Sequence, residues 1–179
     1  MSKLLKLNIL FIAIVFPMIV FSHNEKYPIP PKTNTLLFYI QRNHNYNTII
    51  YDAKYDKQGN LDKDEPIIVY WRRYDEQGQK MELRTVEKWY AYGVEWEKVE
   101  HKNIYSIKLV ADKKHKFWLK QLAPFKSVMI TEINKELSVL DHIYIYADNS
   151  GMWPTVKYIE LFGKNIKTKE KTHEKLIVD

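Results

Sequence analysis

The stretch "LLFYIQRNHNYNTIIYDAKYD", residues 36–56, decides how the chain is read. Two apolar runs, Leu36–Gln41 and Thr48–Tyr55, flank a polar knot from Arg42 to Asn47. β-Branched and aromatic residues dominate both runs, which is the pattern of paired strands. The knot reads as longer than a two-residue hairpin turn. Asn43, Asn45 and Asn47 suit a turn, because their short amides bond to nearby backbone and tolerate left-handed geometry. Arg42 and His44 do not follow from turn chemistry. A guanidinium is a rigid fork of donors that suits carboxylate, phosphate or sugar oxygens.

Strand signals continue outward from this unit. "DKQGN" is a turn in which Gly59–Asn60 can take positive φ. Pro66 opens "PIIVYWRRY", and "DEQGQ" ends it. From Lys80 to Tyr92 the period changes: Leu83, Val86, Trp89 and Tyr90 fall on one helical face, with Gly93 as the stop. Period two then returns, with strands near Val94–Val99, Ile104–Val110, Phe117–Leu122, Val128–Ile133, Val139–Ala147 and Thr155–Phe162. A last ragged strand lies between Ile166 and Ile177. The gaps "DKKHK", "APF", "NKE", "DNSGMWP" and "FGKN" read as turns. About nine strands and one α-helix, without a βαβ rhythm, predict a mainly β domain over residues 36–179. The architecture is an antiparallel barrel of calycin type or a two-sheet sandwich.

The first residues stand apart. Lys3 and Lys6 precede an almost wholly apolar run, Leu7 to Phe21, and small or apolar residues end at Ser22. This predicts a secretory signal peptide over residues 1–22. Residues 23–35 form an extended lead-in, with Pro28, Pro30 and Pro31 in "YPIPP" opposing any helix. The chain has no cysteine, so no thiol near the cleavage point can carry a lipid. The expected location is secreted or periplasmic, with no stable membrane insertion once the signal is cut. An outer-membrane barrel fits poorly, because Asp52 and Lys54 on one parity and Arg73 on the other interrupt any lipid face. Without Lys3 and Lys6 the net charge falls from +6 to +4. That mild excess, spread over "DKKHK" and "KNIKTKEKTHEK", describes solvated faces and gives no reason to expect nucleic acid as a partner.

Alternate side chains of a strand point to opposite faces. In "PIIVYWRRY" one face holds Ile67, Val69, Trp71 and Arg73, the other Ile68, Tyr70, Arg72 and Tyr74. In "HIYIYAD" one face holds His142, Tyr144, Tyr146 and Asp148; in "TVKYIELF" one holds Val156, Tyr158, Glu160 and Phe162. Such tyrosine faces are either the outer side of a half-solvated sheet or the wall of a cavity in which a few polar groups orient a ligand. The second account nominates Tyr39, Arg42, Tyr70, Arg72 and Tyr144 as contacts, with Asn43, Asn45 and Asn47 shaping the entrance. The ligand would be a small amphipathic or saccharide-like molecule, bound by a non-enzymatic module.

Catalysis draws less support. His23, His44, His101, His115, His142 and His173 are scattered, with no pair at metal-ligand spacing, so neither metal nor cofactor is expected. Ser150 precedes a glycine but lacks the elbow motif of a serine hydrolase. An envelope hydrolase using Asp52, Glu132, Asp141 or Glu160 with His44 or His142 is the alternative, and a structural or partner-binding domain is a third. Oligomeric state is left open.

"LLFYIQRNHNYNTIIYDA", "PIIVYWRRY", "YAYG" and "YIELFG", in that order, resemble a bacterial family known as the domain of unknown function numbered 4833. The likeness covers about Leu36 to Gly163. It implies a whole-domain match, often behind an export signal, and implies no activity and no catalytic residue.

Overall fold

The computed structural model describes residues 27–100, 103–152 and 154–178. The expected signal peptide, and the start of the lead-in, lie outside the described residues. Eleven strands follow in chain order: β1 (Leu36–Arg42), β2 (Asn45–Ala53), β3 (Ile67–Arg73), β4 (Gln79–Glu82), β5 (Val94–Lys98), β6 (Ile104–Leu109), β7 (Asp112–Ala123), β8 (Lys126–Ile133), β9 (Glu136–Asp148), β10 (Thr155–Asn165) and β11 (Lys171–Ile177). Besides a 3-10 turn at Tyr74–Glu76, one longer helical segment interrupts them: α1 (Thr85–Glu87) runs on as a π-helical turn, Lys88–Tyr92. No helix of the described residues is long and apolar enough to cross a membrane.

All strands join one sheet curled into a half-barrel, in the order β4-β3-β2-β1-β9-β8-β7-β6-β5, with β10 and β11 branching from β9. The curl turns on β9. Its first part pairs antiparallel with β8 and its second part pairs parallel with β1, while β10 runs along its other edge. A strand flanked in this way must twist strongly, and the concave side fills with side chains that include Phe38, Ile49, Tyr51, Phe117, Leu119 and Met129, all fully buried. Phe38 stacks on Tyr51 there, centroids 4.2 Å apart. The sheet is that of a barrel left open, since β4 and β5 are the free ends of its main path, with β11 ending the branch.

One end of the half-barrel is closed by the excursion between β2 and β3. Gln121 donates to the Gly59 carbonyl and accepts from the Leu61 amide. Gly59 takes φ +83° and lies so close to Phe125 that a Cβ would sit 2.7 Å from its ring. The helix covers part of the other end. Glu87 accepts from the Arg84 amide and the Trp71 indole, which pins the first turn to β3. Gly93 ends the helix for a reason other than left-handed backbone: it is extended, and a Cβ would meet the Lys88 carbonyl at 1.9 Å.

Several expectations shift. The helix is shorter than Lys80–Tyr92, because Gln79–Glu82 pairs with β3 as a short strand. Val86, Trp89 and Tyr90, placed on its buried face by spacing, are exposed, and Leu83 alone reaches the core. "DKKHK" is the start of β7 and "FGKN" belongs to β10, so both are strand where composition suggested turns. The Arg42–Asn47 knot contains a two-residue turn after all: Arg42 pairs with Asn45, leaving only Asn43–His44 between strands. Neither turn residue has positive φ. A register shift between Ile40 and Arg42 supplies the slack instead.

Candidate functional site

The period-two reading separated the two faces of the sheet correctly through β3. Ile67, Val69 and Trp71 join the concave core, while Ile68 and Tyr70 form a small outer cluster with Tyr39 and Ile50. That separation also splits the expected contact residues. Tyr39, Tyr70, Arg72 and Tyr144 stand on the convex face, and Arg42 stands on the concave one. They do not converge on one pocket.

On the convex side each of the four is engaged. Tyr39 stacks on His142, which stacks on Phe162, which stacks on His173, so a ladder of rings crosses β1, β9, β10 and β11. Burial, with Asp141 and Tyr74 nearby, raises the Tyr39 pKa to about 12. Tyr70 donates to Asp52 Oδ2 at 2.9 Å, and its ring lies under Lys80 Nζ at 4.0 Å. Arg72 donates to the Gly78 carbonyl and lends its charge to Asp52. Tyr144 meets Tyr27 of the lead-in, whose Pro28 carbonyl accepts from Gln41, so the proline-rich segment lies across this face.

The asparagines are structural ties. Asn43 mimics a strand residue: its Nδ2 donates to the Ala147 carbonyl and its Oδ1 accepts from the Ala147 amide, both at 2.8 Å. This ties the β1–β2 turn to the far part of β9. Asn45 Oδ1 accepts from the Asn47 amide, and the buried Asn47 accepts from the Asp75 amide.

Arg42 is different. Its guanidinium lies 4.8 Å from the Trp71 ring centroid and 5.6 Å from that of Tyr92. Nη1 donates to the Tyr92 hydroxyl at 2.7 Å, Nη2 reaches Asn45 Oδ1 at 3.4 Å, and the buried Nε has no partner. Among the described residues no carboxylate lies within 4.0 Å of it. Beside it opens a hollow of about 440 Å³ between the concave face of β1, β9 and β10, the helix, and the β6–β7 turn. Ile143, Ile145, Val156 and Ile159 give it an apolar wall; Tyr92 and Arg42 supply the polar end, and Asp112, paired with His115, borders it from the β6–β7 turn. Burial raises the Tyr92 pKa despite the guanidinium, so the phenol stays protonated and keeps a proton to donate. Tyr51, fully buried below, donates to the Tyr92 carbonyl and fixes the end of the helix. Val156 reaches the hollow only because a register shift separates it from Tyr158; strict alternation had put both on one face. The one sequence signal for this site was Arg42 itself, a charge ending an otherwise apolar parity in β1.

Asp52, Asp141 and Glu160 lie apart on the convex face, held by Tyr70, His142 and His173 respectively. No group of three His, Asp or Glu side chains among the described residues is placed to hold a metal ion.

Fold and hollow together define a mainly β domain whose single sheet curls without closing and leaves an arginine at the exposed end of its concave side. The chain belongs to the family described as domain of unknown function DUF4833, whose model matches residues 38–175. No curated protein and no solved structure matches the chain.

Proposed function

We propose that the chain is an exported, non-enzymatic binding module that holds a small amphipathic molecule, its anionic head against Arg42 and its apolar body along Ile143, Ile145 and Ile159. The observation that carries this reading is a part-buried guanidinium with no carboxylate of the described residues within 4.0 Å, facing a hollow that is apolar except for Tyr92 and for Asp112, whose carboxylate is engaged by His115. A charge withdrawn from water without a counter-charge is costly, and a ligand anion removes that cost. The fork geometry of the guanidinium suits a carboxylate or phosphate, and the Tyr92 hydroxyl adds a further donor.

A saccharide on the tyrosine-rich convex face is a weaker reading. Tyr146 and Tyr158 stack on each other at 4.9 Å, and Lys175 covers Tyr158 at 3.5 Å, so these rings are already in use. Native mass spectrometry of the protein from its own cells tests the proposal. The expected result is a bound small acid with an apolar body, replaceable by decanoate. Protein at its bare mass that also takes up no decanoate would reject it.

A further inference from the structure

Apart from the outer edge of β11, on the branch, the half-barrel stops at two strand edges among the described residues, and their backbone groups can be assigned. The Lys54 amide donates to the Pro66 carbonyl, so, counting in twos along the β2–β3 ladder, Asp52 and Ile68, then Ile50 and Tyr70, are the bonded pairs. Ile67 therefore turns its N–H and C=O groups, and Val69 its N–H, to the other edge beyond the end of β4; the last β3–β4 pair, Tyr70 with Glu82, sets the Val69 carbonyl against the Leu83 amide. On β5 the bonds from Val99 to Ile104 and from Val110 to Gly93 fix the alternation likewise. Val94, Trp96 and Lys98 turn their backbone groups away from β6, to an edge that no described strand pairs.

Both edges border the same cavity, about 700 Å³, a slit through the wall of the half-barrel. Ile67, Val69 and Val94 line it on the concave side; Tyr70, Lys80 and Glu95 line it on the convex side. We infer that this slit accepts one extended peptide segment of a partner protein, alternating apolar and polar side chains, which pairs with β3 on one edge and β5 on the other and completes the barrel.

The occupant follows from the edges. A strand that bonds on both sides must itself have two free edges, and every strand described in this chain is already paired on at least one. A second folded copy is thereby unsuited. The lead-in, the start of the described chain, is held on the convex face of β1 and β9, away from the slit. The charges bordering the slit are mixed, with Lys54, Lys80 and Lys88 against Glu65, Glu82 and Glu95, so the segment needs no net charge. Main-chain bonds supply the affinity in such strand addition, and alternate side chains supply the selectivity.

The test is selection from a displayed library of random ten-residue peptides on the full chain, followed by amide hydrogen exchange with a selected peptide made synthetically. Selected sequences are expected to alternate apolar and polar residues. The amides of Ile67, Val69, Val94, Trp96 and Lys98 should slow at least tenfold on binding while those of β7 stay unchanged. N-methylating alternate peptide amides should weaken binding at least tenfold, and Trp96→Pro should reduce it while leaving the β1–β9 amides protected. Three results would overturn the inference: no enrichment over the Trp96→Pro protein, binding indifferent to N-methylation, or edge amides already slow in the chain alone. The last would mean that residues 1–26 or a second copy occupies the slit.

Discussion

The concave and convex faces of the sheet carry two ring stacks of nearly the same geometry. Phe38 on Tyr51 has centroids 4.2 Å apart and planes at 11°; Phe162 on His142 has 4.3 Å and 8°. Their surroundings differ. Phe38 and Tyr51 are fully buried, whereas Phe162 and His142 remain partly in water. Contact geometry alone therefore does not rank the two: the area removed from water does. The same holds for the arginines. Arg42 and Arg72 are both part-buried and each has an Nε without a partner, but Arg72 lends its charge to Asp52 on its face, whereas Arg42 borders a mostly apolar hollow whose one carboxylate, Asp112, is engaged by His115.

The largest effect that can break this comparison is in the concave core. Phe38→Ala is expected to destabilise the domain by about 3–5 kcal/mol in denaturant unfolding, because the cavity is dry and cannot relax fully. Next comes Gly93→Ala, where a Cβ has no room beside the Lys88 carbonyl. It should cost about 1–3 kcal/mol, and displacement of Tyr92 should weaken decanoate uptake as well. Phe162→Ala should cost about 1–2 kcal/mol, from partial burial and one ring stack. If Phe162→Ala cost as much as Phe38→Ala, the convex ladder would be a second core and the distinction between faces would fail.

The smallest effect is a pH dependence at Asp52. Burial holds its carboxyl above the ordinary range, against the opposing hydrogen bond from Tyr70 and the charge of Lys80. Protonation thus favours the folded state. The contribution is full below the pKa of an unfolded aspartate, about 4, and is lost as pH rises through the higher folded value. Asp52→Asn keeps an acceptor for Tyr70 and removes that loss. The variant should melt higher than the parent near neutral pH, with the gain shrinking as pH falls toward about 4. A gain that grew on acidification would show that the folded pKa is depressed.

Much of the fold was legible in the residues. The mainly β class, one helix, the strand centres and the split of β3 into two faces all followed from period two and turn chemistry, which are local properties. Closure was not legible. The parallel β1–β9 pair joins Tyr39 to His142 across most of the chain, and nothing local announces it. Register shifts were equally hidden, and one of them moves Val156 from the tyrosine face into the hollow. The helix misled because Trp89 and Tyr90 keep helical spacing while facing solvent. Of the expected contacts, Arg42 alone borders the concave hollow, since alternation tells which residues share a face of one strand but not which face the sheet curls around. Asn43 was read as a turn former and is a tie to β9, a role that depends on a strand about a hundred residues away.

The most direct measurement is calorimetric titration of decanoate into the parent, Arg42→Gln and Arg72→Gln proteins. Losing a charge-assisted bond of about 1.5–3 kcal/mol should weaken Arg42→Gln roughly 10- to 100-fold. Arg72→Gln, altered on the opposite face, should bind as the parent does. Equal loss in both, or loss only in Arg72→Gln, would contradict an anion site on the concave side.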